Sequence, residues 1–280
     1  MTLRGGHYFA SGQELALILI RRFVSLDSLS HLASELGRSE AAISEASAFM
    51  MHHLHSRFEH CFNEQSFYLW MHRFQEMADA FAVLEMPVPD LILLIDGKLY
   101  ETCRPTRGQR DVYDGHHKQH GVSGQGHVYP NGIIPYAYFE PHGRHHDSYN
   151  LQQSGVLEIL ADICSRLGKD YRAGADSGYP VHRYLTPMFR AAVATRVQAL
   201  FNRAYSPGRV TVEWGFQKIV ALYPYINHYP KLKLLRQDVG LMLPIALFLT
   251  NCHTCLMGDA LSDVTGMDAP SLEDWLSGQF

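Results

Sequence analysis

The chain has no surplus of positive charge. Its 24 Lys and Arg are outnumbered by 28 Asp and Glu, for a formal net charge of −4. Phosphate neutralisation supplies most non-specific affinity for nucleic acid, so bulk composition weighs against DNA binding. No segment reaches the ~18 consecutive apolar residues of a membrane span. The opening residues, Met1 to His7, lack the charged end and apolar stretch of a signal peptide, so a soluble, intracellular chain that does not engage membrane is expected. The five cysteines (Cys61, Cys103, Cys164, Cys252, Cys255) are odd in number and scattered, which argues against a disulfide framework. Only Cys252-His-Thr-Cys255 has metal-like spacing. One such pair without a second favours buried, reduced thiols over zinc.

What is present is core material. With 46% apolar and 11% aromatic residues among 280, the chain suits one large domain or two small ones. Residues 11–80 carry helical patterning. Within residues 28–54, Ala33, Gly37 and Ile43 fall at relative positions 0, +4 and +10, with Ser39 as an N-cap, which is helix-turn-helix logic. The second helix of that pair, Ser39 to about Leu54, carries Glu40 and Glu45 and no Lys or Arg after its cap, a poor chemistry for reading bases. Pro87-Val-Pro89-Asp90 breaks the pattern. It divides a helical region, 1–86, from a second domain, 87–258, and leaves an acidic tail, 259–280, expected to be mobile, with Leu272 to Leu276 as a docking turn.

After the break the period changes. Leu91 to Ile95 is a short apolar run that suits a buried central strand and ends at Asp96-Gly97. Strands follow at about 122–129 and 133–139, joined through Pro130-Asn131-Gly132, then a helix over 150–167 and a strand over 171–175 that ends on Asp176. A helix from Gly208 carries Glu213 at the margin of its apolar stripe, with Arg209 at i−4 able to pair with it. This order predicts an α/β fold: an RNase H-like mixed five-stranded sheet flanked by helices, behind an N-terminal all-helical region.

Two aspartates at strand ends and a late helical glutamate are the acids of a two-metal phosphodiester site. Hard divalent cations take oxygen ligands, and two such ions sit roughly 4 Å apart. Seven of the seventeen histidines lie between His116 and His146, but their spacing matches no standard zinc set. A polar, substrate-facing loop is the simpler reading.

With these residues laid out, the chain resembles the PIF/Harbinger superfamily of DDE transposases, including harbinger transposase-derived nucleases. The resemblance runs from about Leu15 to Gly258. It rests on Ile95-Asp96-Gly97 with Cys103-Arg104-Pro105, Tyr113-Asp-Gly-His116-His-Lys118-Gln-His120, Pro130-Asn-Gly132, Gly143-Arg144-His-His146-Asp147, Asp176-Ser-Gly-Tyr179-Pro180, Val210-Thr-Val-Glu213-Trp-Gly-Phe216 and Thr250-Asn-Cys-His253. It implies a DNA endonuclease using Mg²⁺ or Mn²⁺ held by Asp96, Asp176 and Glu213 as catalytic acids. Asp147 is auxiliary, or a rival for the second acid, and Arg209 orients Glu213 or touches a phosphate. Lys118, Arg144 and His145 are the candidates for contacting the nucleic acid. The resemblance further implies nuclear residence and help from a separate Myb-like DNA-binding protein, and leaves strand transfer and a homo-oligomer open. The competing reading is a domesticated, non-catalytic scaffold that binds DNA or protein.

Overall fold

The structure, a computed structural model, describes residues 11–280 apart from 141, 142, 144, 229, 231 and 235 and the side chains of Arg209 and Val212. Five helices come first: α1 (Gly12–Val24), α2 (Leu29–Leu36), α3 (Glu40–Phe58), α4 (Ser66–Trp70) and α5 (Phe74–Ala82). Local chemistry sets their ends. Ser11, Ser28 and Ser39 cap α1, α2 and α3 by accepting from the amides of Glu14, His31 and Ala42. Gly37, at φ +62°, ends α2 in the left-handed conformation, and Ile43 is fully buried where α3 turns back. Within the helical stretch, residues 66–82 fold not as one helix but as α4 and α5, divided by a tight turn at Met71–Arg73.

The sheet follows as β1 (Leu91–Glu101), β2 (Tyr113–Asp114), β3 (Gln119–Val128) and β4 (Tyr136–Glu140). After α6 (Asp147–Gln153) and α7 (Val156–Leu167) come β5 (Arg172–Ala175) and β6 (Leu185–Pro187). β1 is antiparallel to β3, which pairs with β4 on its other side, while β5 and β6 run parallel to β1. The path β4-β3-β1-β5-β6 is a mixed sheet in the RNase H-like order. The two-residue β2 adds a sixth strand to the expected five by pairing with the start of β3. A parallel partner for β1 requires a crossover, and α6 and α7 supply it. They are two helices where one was expected, because Gly155 at φ +65° breaks the chain between them.

α8 (Arg196–Leu222) starts twelve residues before the expected Gly208. Ser206-Pro207-Gly208 has the composition of a helix breaker, yet a capping box at Thr195 and Gln198 starts the helix and Pro207 is accommodated inside it. The helix crosses the sheet in order: the Tyr205 hydroxyl donates to Thr186 O beside β5, Gly208 meets Leu94 of β1, and Phe216 lies over Gly126 of β3.

α9 (Val239–Met257) is the one described helix long and apolar enough to cross a membrane by length and composition, and more than half of it is buried within the protein. Cys252 and Cys255 on it are not disulfide-bonded, and burial pushes both thiols up to about 12, away from the thiolate a metal would need.

The acidic end is not a loose tail. α10 (Ala260–Thr265) and α11 (Leu272–Ser277) fold back onto the core. Trp275 is 1% exposed and stacks on Phe248 at 5.6 Å, Phe280 reaches Trp70 at 4.2 Å, and Lys218 pairs with Asp259 at 2.6 Å. An acidic segment with one well-placed tryptophan can bury enough apolar area to outweigh the cost of ordering it. The same continuous core unites α1–α5 with the sheet, α5 packing on β1 and α3 on α9.

Candidate active site

Strand register builds the site. In the parallel pair of β1 and β5, Ile95 lies opposite Ala175. The next residue of each strand is an aspartate, so Asp96 and Asp176 leave neighbouring strands at the same level, about 4.8 Å apart across the sheet. β5 stops there, whereas β1 continues to Glu101. The edge of β1 beyond Asp96 therefore has no strand beside it, and a cleft of about 730 Å³ opens along it. Its walls are strongly polar: Asp96, Lys98, Asp114, His116, His117, Ser123, His145, His146, Asp147 and Asp176 all line it.

Asp147 reaches the cleft from the first turn of α6, which is docked on the sheet by Asn150 Nδ2 donating to Ser123 Oγ at 2.7 Å. Its carboxylate occupies the space directly above Gly97, where any side chain would collide with it. A side-chain carbon at Gly178 would lie 3.2 Å from Asp176 Oδ1 and 3.3 Å from Asp147 Oδ2, so these two carboxylates crowd one spot. Burial, then the charge of Asp176, raises the Asp147 pKa above its ordinary value. Asp176 Oδ1 and Asp96 Oδ1 each accept a backbone amide, from Gly178 and Gly97, both at 2.9 Å. These bonds fix the orientation of the two acids.

Tyr179 joins the three acids. Burial and the charges of Asp147, Asp96 and Asp176 hold its phenol protonated, far above the ordinary range. Its oxygen accepts from Gln125 Nε2 at 3.2 Å, and the same amide group donates to Asp147 O at 3.4 Å. Gln125 is completely buried and sits opposite Gly97 in the sheet. Lys98, two residues past Asp96 on the same strand face, is lowered by burial although Asp96 favours its charge. Asp114 shows the opposite balance. Burial raises it, but the His117 ring and the amides of His117 and His116 more than offset that, and its pKa is lowered.

The other residues singled out in the sequence are distributed around this frame. Glu213 is half-buried on α8, between the contacts this helix makes with β1 at Gly208 and with β3 at Phe216, and does not line the cleft. Arg209 is on the same helix. His145 lines the cleft wall with its ring 3.9 Å from Tyr149. Lys118 is exposed at the tip of the β2–β3 hairpin, at φ +57°. Arg144 lies outside the described residues. Asp114, Tyr179 and Gln125 were not among the site candidates. Asp114 and Tyr179 stood inside recognised motifs, whereas Gln125 carries no signal in the sequence beyond its place in a strand.

Among the described residues, the group whose ligand atoms all lie within 4.8 Å of one another is Asp27, His31 and Glu35, away from the cleft. Arg21 already bridges Asp27 at 3.1 Å and Glu35 at 2.7 Å, so that cluster has its cation.

Residues 95–251, more than half of the chain, match the family model described as DDE superfamily endonuclease, and the chain belongs to that family. No curated protein matches it in sequence. Among solved structures it is similar to a chain in a pre-cleavage Mos1 transpososome, at 12% identity and a TM-score of 0.24, covering 89% of this chain and 80% of that one. It is also similar to one in the Mos1 mariner paired end complex with Mn, at 11% identity and a TM-score of 0.27, covering 100% and 82%. Likenesses at these scores decide nothing about the site.

Proposed function

We propose, taking membership of the DDE superfamily endonuclease family as the premise, that this chain is a divalent-metal-dependent DNA endonuclease of the PIF/Harbinger transposase type. The observation that carries the reading is the strand register: Ile95 opposite Ala175 delivers Asp96 and Asp176 side by side at the mouth of one cleft. The donor set fits hard cations, since the carboxylates of Asp96, Asp114, Asp147 and Asp176, from four separate elements, face that cleft, and a bound cation would offset the burial and the Asp176 charge that raise Asp147.

Asp96 and Asp176 would hold the metal, with Asp147 beside them as an auxiliary ligand; Glu213, on α8 and outside the residues that line the cleft, is the third acid by the resemblance alone. A Mg²⁺ or Mn²⁺ pair supplies a lower pKa for the attacking water and charge stabilisation at the leaving oxygen. The protein's own share is positioning. Backbone amides hold Asp96 and Asp176, the Gln125–Tyr179 pair braces α6 beneath Asp147, and Lys98 brings a cation to the rim for a phosphate oxygen. Lys118, Arg144 and His145 would meet the flanking strand, and Arg209 would orient Glu213. A net charge of −4 and an α3 with acidic Glu40 and Glu45 exposed fit reliance on a separate Myb-like protein for target choice, with both acting in the nucleus.

The same acidic α3 favours a second reading, a domesticated scaffold without chemistry. Nicking of supercoiled plasmid in Mn²⁺ separates the two. Asp96→Asn, Asp176→Asn and Glu213→Gln should each lose roughly two to four orders of magnitude in rate, since each removes several kcal/mol of transition-state charge stabilisation. Asp147→Asn should lose less. A wild-type chain that binds DNA yet never nicks it in Mg²⁺ or Mn²⁺ supports the scaffold.

A further inference from the structure

Five of the arginines on this chain are committed to carboxylates: Arg21, Arg38, Arg73, Arg166 and Arg183. A different group gathers beyond the end of β1. Arg104, Lys233 and Arg236 line a groove of about 340 Å³, and Arg107 and Arg110 continue the same loop. All five are exposed, and among the described residues none of them forms an ion pair. The Arg104 guanidinium is held instead by a neutral partner, its Nε and Nη2 donating to Gln109 Oε1 at 3.0 and 2.7 Å. Asp238, the acid two residues beyond Arg236, is occupied in capping α9.

The groove is built from two segments more than a hundred residues apart. Cys103 N donates to Leu232 O at 2.9 Å and Cys103 Sγ to Pro230 O at 3.2 Å, while Leu232 is fully buried as the anchor. Its position relative to the cleft follows from β1. That strand lines the cleft from Asp96 to Leu99 and then hands the chain to Arg104, at most ~26 Å away at strand rise. The loop returns to the cleft at Asp114, so both of its ends are cleft walls.

We propose that this groove binds the sugar–phosphate backbone of the DNA duplex whose scissile bond lies in the cleft, at most about eight nucleotides from the cut. The proposal rests on the nuclease reading above. Along the duplex axis each strand presents a phosphate every ~3.4 Å, so ~26 Å spans at most about eight of them. Guanidinium forks match phosphate oxygens bidentately. A cluster of cations with no carboxylate partner sets the local potential within a Debye length of about 10 Å, whatever the net charge of the chain.

The test is duplex binding by fluorescence anisotropy, with the full chain and a 30-base-pair probe in EDTA so that no cleavage occurs. Arg104→Gln/Lys233→Gln/Arg236→Gln should weaken affinity at least ~10-fold near 0.1 M salt and reduce the slope of log K against log salt by about 2 to 3. Arg57→Gln, an exposed change on α3, should leave both unaltered. The Lys233 and Arg236 side chains make no hydrogen bonds among the described residues, so Lys233→Gln/Arg236→Gln alone covers the case where losing the Arg104–Gln109 contact impairs folding. That pair should lower the slope by about 2. Shortening the duplex stepwise below about eight base pairs on either side of the cut should make the affinities of wild type and triple variant converge. Unchanged affinity and slope in the variants overturn the proposal. If the wild type also cleaves DNA, the nuclease reading survives that loss. Binding that depends on the groove, without cleavage in any divalent cation, sinks the nuclease reading and keeps the groove as a DNA-backbone site.

Discussion

The carboxylate of Asp147 fills the space that a side chain on Gly97 would need. One residue sits in the middle of the central strand and the other opens the crossover helix, fifty positions later. Gly97→Ala should therefore push Asp147, and the α6 turn that carries it, away from Asp176. The expected result is a loss of cleavage comparable to that of Asp147→Asn, with thermal stability close to wild type. A nicking assay paired with a melting curve checks it; full activity in Gly97→Ala would show that Asp147 need not stay where it lies.

The acids predict a separation of binding from chemistry. Asp176→Asn should abolish cleavage and leave duplex affinity equal or slightly higher, because a negative charge beside the phosphate is gone. Mn²⁺ should raise the melting temperature of the wild type by mass action and that of Asp176→Asn by less. Cleavage should survive a zinc-selective chelator. Activity supported by zinc alone, and lost on changing His145 or Cys252 but not Asp176, would point to the histidine-rich loop instead.

His127 predicts an acid limit to stability. It is completely buried, its ring stacked on Tyr136 at 5.3 Å, and burial lowers its pKa from 6.5 to about 4 despite the bond between Nδ1 and Tyr136 O. The folded protein keeps it neutral while the unfolded chain takes up a proton. Its contribution is thus present above pH 6.5 and lost progressively down to about pH 4, roughly 3 kcal/mol in all. Unfolding in urea at pH 7 and pH 4.5 should show that His127→Phe loses less stability on acidification than wild type. Equal losses would mean that other groups set the acid limit.

Trp275 predicts that the chain end is structural. Trp275→Ala opens a cavity against Phe248 and should cost about 3–5 kcal/mol, near the cost of other buried Trp-to-Ala changes. A stability change below about 1 kcal/mol would mean the end is loosely held after all.

The sequence by itself determined what depends on near neighbours. Serine caps at Ser28 and Ser39, the glycine stop at Gly37, the apolar run Leu91 to Ile95 and the strand that stops before Asp176 are all settled by residues within a few positions of one another, whereas Asp96, expected at a strand end, lies mid-strand because β1 runs on to Glu101 against β3. The order of strands and crossover then leaves few sheets to build, and the mixed sheet found is the one expected. What needed the tertiary structure is everything set by long-range packing. Register put Asp96 level with Asp176, and the docking of α6 brought Asp147 over Gly97. A capping box twelve residues upstream overrode the breaker at Pro207, because a helix covering three strands gains more from packing than one proline costs. The acidic end folded because Trp275 found a site assembled from α9 and the turn at Cys61, more than two hundred residues earlier in the chain. Hydrophobic burial has no sequence range, so no local pattern could have announced which partner that tryptophan would meet.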